Sequence, residues 1–326
     1  MVALLLGLIL SLLTIELFLR LATASWEPHG NEPTTHEPHP TLGWKNQEGE
    51  FVYPAYVRTG KPIKMTILAD GSRVSRTNDE AGRDTLVLVG GSITRGSAIS
   101  DHETFAWKLE EKFPSLRVRN YGTGAYGTYQ SLLMLEWIVS NSVPSMAFYG
   151  LSPVHEIRNV ATYSWLKGLS ERSKRGAIHV PYVSIDDDGK LVRHPPEAYV
   201  QWGLSKYLAS INAVQQLYAK AISKTRGAGK REVTEKLILR MRDLCAEKGI
   251  LFAAVLLYAN DLRSKSHYVH FLRENGIRLI DCYDPIGYPL TTDLVVPREG
   301  HPNGKMNTFY ANCIAKHARD MITGLR

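Results

Sequence analysis

The sequence predicts an α/β fold, a three-layer sandwich whose five-stranded parallel sheet carries helices on both faces, with a membrane helix at the N-terminus. Three observations predict it. Five short apolar runs, at 85–89, 116–121, 146–149, 250–258 and 278–282, have the length and composition of strands. Stretches of helical periodicity separate them, and strands that alternate with helices form a parallel sheet covered on both faces. Ahead of all of these, 2–19 is apolar except for Ser11, Thr14 and Glu16. At 326 residues the chain has room for one large domain with appendages, and 44% hydrophobic content argues against bulk disorder.

The N-terminal run comes first. Eighteen helical residues span ~27 Å, close to the ~30 Å hydrocarbon core of a bilayer. Glu16 stands near the distal end, where a charge costs less than at the centre. Ala22-Thr23-Ala24 also has the form of a cleavage site. Residues 1–22 are therefore a signal anchor or a signal peptide. The lack of a basic stretch before the apolar run, and Arg20 on the approach to the cleavage site, favour the anchor. Residues 23–60 read as an extended linker, because 25–48 is dense in Pro, His, Glu and Thr. The domain proper is expected over 61–326. Around its start, 51–74 reads as irregular strands ending in a turn at 69–72.

The strand at 85–89 runs into Gly90-Gly91-Ser92. A helix is expected at 103–113 with Ser100 and Asp101 as candidate caps, then strand 116–121, helix 129–139 and strand 146–149. Next comes an insertion, 156–232. It should hold a hairpin, 180–185 with 190–193, turning through Asp187-Asp188-Gly189, and a helix near 204–223. Leaving from the carboxyl end of the third strand, it is expected to overhang Ser92. Trp165, Tyr182, Tyr199 and Trp202 form either a local core or a stacking surface for a sugar. Helix 233–248 places Leu237, Met241 and Leu244 on one face. Strand 250–258, helix 265–275, strand 278–282 and a closing helix at 305–323 complete the chain. Cys245, Cys282 and Cys313 read as small buried core residues, and their spacing is not that of a zinc site.

Two motifs carry chemistry. A serine on a sharp strand-to-helix turn, as in Gly90-Gly91-Ser92, has its hydroxyl exposed. Glu299-Gly300-His301-Pro302-Asn303 stands just before the closing helix. His301 can take the serine proton, and Glu299, two residues earlier, can orient the ring. These are the parts of a hydrolytic triad in the order Ser, Glu, His. Arg298 cannot accept from a ring N–H, and Asp293 is the reserve acid. Ser92, Ala125 and Ser152 each follow the carboxyl end of a strand, where parallel sheets hold their sites.

Other motifs lose their force in context. Gly122 to Gly127 matches a dinucleotide fingerprint, but no acid stands at the end of the next strand. Gly91 to Ser97 has P-loop spacing with serine in place of the required lysine. His155-Glu156 lacks a second histidine, and His267 and His270 lack further ligands. No cofactor and no metal are expected. The net charge of +7 suits anionic surroundings such as lipid headgroups or acidic glycans. Its cations are scattered apart from 167–175 and 224–231, so nucleic acid is not an expected partner.

Three segments together resemble the SGNH (GDSL-like) hydrolases. Gly90-Gly91-Ser92-Ile93-Thr94-Arg95-Gly96 resembles their first block, with glycine where many members have Asp before the serine. Asn120-Tyr121-Gly122-Thr123-Gly124-Ala125 resembles the second, with Ala125 in place of an oxyanion-hole glycine. His301-Pro302-Asn303 resembles the last. The third block departs: Ser152 stands where the family has an Asn that completes the oxyanion hole. The resemblance covers roughly 66–326. It implies a flavodoxin-like sandwich and a serine esterase in which Ser92 attacks, His301 moves the proton and Glu299 holds the ring. The N–H groups of Ser92 and Ala125 would bind the oxyanion, with Asn159 or His155 as a third donor. The implied substrates are O-acyl, including acetyl, esters of an envelope glycan or of a lipid-linked molecule. The implied place is the cell membrane, with the catalytic part periplasmic or extracellular. An O-acyltransferase using the same triad and a non-catalytic glycan-binding envelope protein remain as alternatives.

Overall fold

The computed structural model describes residues 2–22, 33–56, 60–76, 84–173, 177–259, 261–283 and 291–324, with the side chains of residues 3 and 8 left aside. Helix α1 (Val2–Ala22) has a mean hydropathy of 2.2 over Leu4–Ala22 and buries none of that window, so it is long and apolar enough to cross a membrane. Thr23 and Ala24 of the candidate cleavage site lie outside the described residues.

Two antiparallel hairpins follow: β1 (His36–His39) with β2 (Gly43–Asn46), and β3 (Gly49–Tyr53) with β4 (Ile63–Ile67). They correct the expectation of an extended linker over 23–60, since its part at 33–56 is folded; 23–32 and 57–59 lie outside the described residues. A few residues outweigh the polar composition. Leu42 is buried in the main core. Trp44 Nε1 donates to Gly124 O, and Asn46 Nδ2 donates to Gly71 O and Gly122 O.

Strand β5 (Asp84–Gly90) leads into a one-turn helix α2 (Ser92–Arg95). Helix α3 (Phe105–Lys112) starts later than expected, because Thr104 accepts from Trp107 N and caps it, while Ser100 caps the 3-10 turn before it. Strand β6 (Leu116–Asn120), helix α4 (Thr128–Asn141) and strand β7 (Met146–Leu151) follow. The insertion consists of α5 (His155–Asn159), α6 (Tyr163–Arg172), the hairpin β8 (Ile178–Ile185) with β9 (Leu191–Tyr199), and α7 (Ala209–Arg226). Then come α8 (Lys230–Glu247), β10 (Leu251–Leu256), α9 (Leu262–Glu274), β11 (Arg278–Asp281), α10 (Gly304–His317) and α11 (Arg319–Thr323). The closing helix is split in two at Ala318.

The five parallel strands lie in the order β6-β5-β7-β10-β11. Counted along the chain this is 2-1-3-4-5, the flavodoxin-like winding, whose direction reverses between β5 and β7. Strand alternation divides the core. Leu86 and Leu88 face α3 and α10, whereas Val87 and Val89 face α4 and α8. All six residues of β7, the central strand, are buried.

The insertion's hairpin packs on β2, α4, α5 and α8. It therefore lies against the α4–α8 side of the sandwich, where the sequence led us to expect an overhang of Ser92. Trp165, Tyr182 and Tyr199 share a local core with Leu166 and Val180, and Trp202 packs on Tyr218. The cysteines also differ from expectation. Cys282 and Cys313 form a disulfide between the end of β11 and α10, and Cys245 is buried and free. Closing 31 residues in this way is worth about 3 to 4 kcal/mol in the loop-entropy account.

The exposed edge of β6 is covered by Arg73, which bridges Asn120 antiparallel. Its guanidinium is fully buried. It donates to Asp101 Oδ1 at 2.8 Å and to the carbonyls of Arg95, Gly96 and Ile99. One side chain thus fixes the backbone that leaves α2. Removing the carboxylate leaves the cation buried with carbonyls alone. Asp101→Ala is expected to cost about 3 to 5 kcal/mol in urea unfolding, and a loss below about 1 kcal/mol would show that the carbonyls suffice.

Candidate active site

The site is built on a turn that only glycines permit. A Cβ on Gly90 would stand 2.2 Å from Thr94 Oγ1, and one on Gly150 would stand 2.0 Å from the same atom. Gly90 and Gly150 are neighbours on β5 and β7. A Cβ on Gly122, beyond β6, would meet Arg95 N at 2.4 Å. The short helix α2 therefore rests directly on the carboxyl ends of three strands, at the point where the winding reverses. Ser92 is its first residue, preceded by Gly91 as N-cap.

His301 arrives from the other end of the chain. Its loop closes on itself, with Val296 N donating to His301 O and Gly300 N donating to Val296 O. Asn303 caps α10 by accepting from Lys305 N and Met306 N, and Asn307 Oδ1 accepts from Phe105 N, which ties α10 to α3. The side chains meet. His301 Nε2 lies 2.7 Å from Ser92 Oγ, and His301 Nδ1 lies 2.6 Å from Glu299 Oε1. Glu299 Oε2 accepts from His301 N at 2.9 Å, so both carboxylate oxygens hold one residue. Burial pushes the Glu299 carboxyl up, but the hydrogen bonds and charge of His301, with the Arg95 charge, more than offset it and hold it below its ordinary value. Asp293, the reserve acid, faces away. It is exposed and bonded to Lys305 and Thr291.

Ala125 stands on the loop after β6 with φ 64°, a left-handed conformation that glycine adopts at less cost. The first hairpin braces this loop: Trp44 Nε1 holds Gly124 O, Asn46 holds Gly122 O, and the Tyr126 hydroxyl donates to Trp44 O. Asn120 links the same loop to the Ser92 turn, donating to Thr94 O and accepting from Gly122 N. Sequence reading missed the parts played by Trp44 and Asn46. A tryptophan and an asparagine inside a polar segment were the available signal.

Asn159 does not face the serine. Its Nδ2 donates to Thr128 Oγ1 and Thr234 Oγ1, and its Oδ1 accepts from Tyr129 N. The amide is consumed in fastening α5 to α4 and α8, which corrects its candidacy as an oxyanion donor. Ser152, in the place of the expected Asn, is buried with its hydroxyl unpartnered among the described residues.

His155 is placed differently. Its Nε2 stands 3.0 Å from the point that a Cβ on Gly91 would occupy, next to Arg158 Nη1 at 3.3 Å. A Cβ at position 91 would press on both, so glycine is the residue that fits here without a shift. The tautomer of His155 is assigned by counting hydroxyl protons along Asn159, Thr128, Tyr149 and His155. Thr128 Oγ1 accepts from Asn159 and lies 2.7 Å from Tyr149 OH, which lies 2.7 Å from His155 Nδ1. If Thr128 donates to Tyr149 and Tyr149 donates to His155, both hydroxyl protons have acceptors and the ring hydrogen is left on Nε2, beside Gly91. The reverse order leaves the Thr128 proton without a partner among the described residues. On this count we assign Nδ1 as the acceptor and the hydrogen to Nε2. Burial, then the Arg158 charge, hold His155 well below the ordinary histidine value, so the ring is neutral. Burial also brings Arg158 down to about 10.

Among the described residues no group of three metal-ligating side chains occurs. A cavity of about 250 Å³ lies in the insertion, lined by Tyr163, Tyr199, Trp202, Tyr218 and Arg226; none of these is bonded to Ser92, His301 or Glu299.

No protein-family model matches the chain, and no curated protein matches it. Solved structures similar to it include a member of the lipolytic protein G-D-S-L family from Veillonella parvula, at 15% identity over 71% of this chain and 96% of that one, with a TM-score of 0.40. A GDSL-like lipase from Bacteroides thetaiotaomicron is 13% identical over 77% and 93%, with a TM-score of 0.41. A psychrotrophic esterase from Pseudoalteromonas sp. is 11% identical over 74% and 99%, with a TM-score of 0.43. Likenesses at this level say nothing of activity.

The neutral His155 sets a pH dependence of stability. The unfolded chain protonates this ring below about pH 6.5 and the folded chain does so only at much lower pH, so the unfolded state binds more protons in between. Stability from this group is complete above about pH 6.5 and falls below it, by up to about 1.4 kcal/mol per pH unit. Urea unfolding of His155→Gln is expected to show a shallower decline between about pH 6.5 and pH 5 than the unmodified protein. Equal slopes would mean that the ring is not held neutral.

Proposed function

We propose that the chain is a serine hydrolase of carboxylic esters, working through an acyl-enzyme on Ser92. The observation that carries this reading is the continuous line Ser92 Oγ, His301, Glu299, with contacts of 2.7 and 2.6 Å. The protein resembles the SGNH hydrolases in the residues that form this line. Ser92 Oγ attacks the ester carbonyl while His301 Nε2 takes its proton. Glu299 keeps the Nδ1–H tautomer and stabilises the imidazolium. The tetrahedral oxyanion is held by the N–H groups of Ser92 and Ala125, with His155 Nε2–H as the third donor in place of the family's Asn. A neutral imidazole donates there without adding a proton that could leak to the leaving group. Collapse expels the alcohol, which takes the proton from His301. Water, deprotonated by His301, then attacks the acyl carbonyl and frees Ser92.

We place the catalytic part outside the cytoplasm, anchored by α1. The length and hydropathy of α1 support a span, and the Cys282–Cys313 disulfide supports an oxidising compartment. In that place the reading that fits best is an O-acyl ester, such as acetyl, of an envelope glycan or lipid-linked molecule, with a hydrolase domain that takes in the first hairpin as well as 61–326.

Ser92→Ala is expected to lower kcat on a p-nitrophenyl acetate-type ester by roughly 10^6 and to abolish labelling by a fluorophosphonate. A variant keeping a tenth of the activity would remove Ser92 from the mechanism. The acid and the third donor are separated by kinetics. Glu299→Gln should cost about 10^4 in kcat, while Asp293→Asn stays near the unmodified rate. His155→Phe should lower kcat by roughly 10^2 to 10^3 with little change in KM. An unchanged kcat in that variant would leave the backbone donors alone in the hole.

A further inference from the structure

Glu16 is an unexpected residue for a membrane span, and its partners explain it. Glu16 Oε1 accepts from Ala209 N at 2.7 Å, and Oε2 accepts from Ser210 N at 3.0 Å and from Ser210 Oγ at 2.9 Å. These are donors of the first turn of α7, where the helix dipole favours a carboxylate. Arg20 completes the joint, donating to Glu16 at 2.8 Å and to Tyr207 O. Along α1, Glu16 lies only about 9 Å before Ala22. If α1 spans, the segment bonded to Glu16 lies at the edge of the hydrocarbon region.

That segment has the surface such a position requires. Val200, Leu204 and Tyr207 of the loop after β9, and Val214, Leu217 and Tyr218 of α7, are all exposed, Tyr207 to 71% and Leu217 to 69%. On α7 they follow helical spacing with the exposed Ala221, while Gln215 and Ala219 are buried on the other side of the helix. The charge is one-sided. Residues 200–226 contain Lys206, Lys220, Lys224 and Arg226 and neither Asp nor Glu. Arg226 is turned inward over Tyr182, which leaves the three lysines exposed at the surface.

We propose that 200–221 is a second membrane contact: an interfacial pad that lies in the headgroup–acyl boundary of an anionic bilayer beside α1. The proposal rests on reading α1 as a span. Tyr207, Tyr218 and Trp202 suit the interface, the leucines and valines suit the acyl edge, and the lysines meet anionic headgroups. One span leaves a domain free to swivel. A span joined to a pad holds it in one orientation, with the insertion next to the lipid.

The test uses the full chain in vesicles of phosphatidylcholine and phosphatidylglycerol, under non-reducing conditions that leave the disulfide intact and the buried Cys245 unlabelled. Spin labels are placed at Leu204→Cys and Leu217→Cys. References are Leu10→Cys in α1 and Val143→Cys, which is exposed at the opposite end of the central strand β7. Relative access to oxygen and to a water-soluble nickel chelate reports depth. Labels at 204 and 217 should fall between those at 10 and 143, and the combined K206E, K220E and K224E changes should shift them toward the water value. If 204 and 217 match 143 while 10 is lipid-like, the pad is overturned and the span stands. If 10 also matches 143, the span reading has failed and takes the pad with it. If 204 and 217 are shielded from both reagents and show spin–spin broadening that excess unlabelled chain relieves, the face joins two copies and the bilayer proposal is overturned.

Discussion

The structure depends on one steric constraint, the contact of α2 with the ends of three parallel strands. Gly90, Gly122 and Gly150 leave room for Thr94 and the Arg95 backbone, where a single Cβ would stand between 2.0 and 2.4 Å from its neighbour. Because the turn is seated so low, Ser92 opens at the reversal point of the winding, between β5 and β7. Every other part of the site reaches toward that fixed point: the Ala125 loop from β6, α5 from β7, and the His301 loop from the end of the chain.

Charge is arranged around the turn to keep it rigid and its histidines distinct. Arg73 sits behind α2 with one carboxylate and three carbonyls as partners. Arg95 is buried beside it, bonded to Ser97, Thr35 and His36, so the first hairpin takes part in the same network. Around Ser92 the two histidines have opposite surroundings. His301 faces a carboxylate, whereas His155 faces Arg158 and is buried, so it stays neutral. The difference comes from their neighbours, since the side chains are the same.

The first hairpin is tied to the sandwich through backbone groups, and the insertion packs on it and joins α1. The first hairpin holds the carbonyls of Gly122 and Gly124 and so fixes the Ala125 loop in its left-handed conformation. The insertion is held at β2 and α4 by its hairpin and at α1 through the first turn of α7. Side-chain bonds to main-chain groups of this kind add to the burial of Leu42 and Val183 in the main core in keeping both excursions in register.

The sequence by itself determined the five strands, their alternation with helices, the apolar N-terminal helix and the pair of motifs around Ser92 and His301. These are legible because apolar periodicity and turn glycines act locally, and a parallel sheet follows from the alternation. Only the tertiary structure decided the rest. The 33–56 segment looked like a tether because burial of Leu42 and the bonds of Trp44 depend on surfaces far along the chain. Asn159 and His155 are four residues apart and were both candidates, Asn159 first; the depth at which α5 packs spends the Asn159 amide on Thr128 and Thr234 and leaves the His155 ring over Gly91. Cys282 and Cys313 looked like core residues until the fold brought them together. Glu16 was an isolated charge in an apolar run until the start of α7 supplied its donors. In each case the partner is distant in sequence, and the competition between alternative partners is settled by packing.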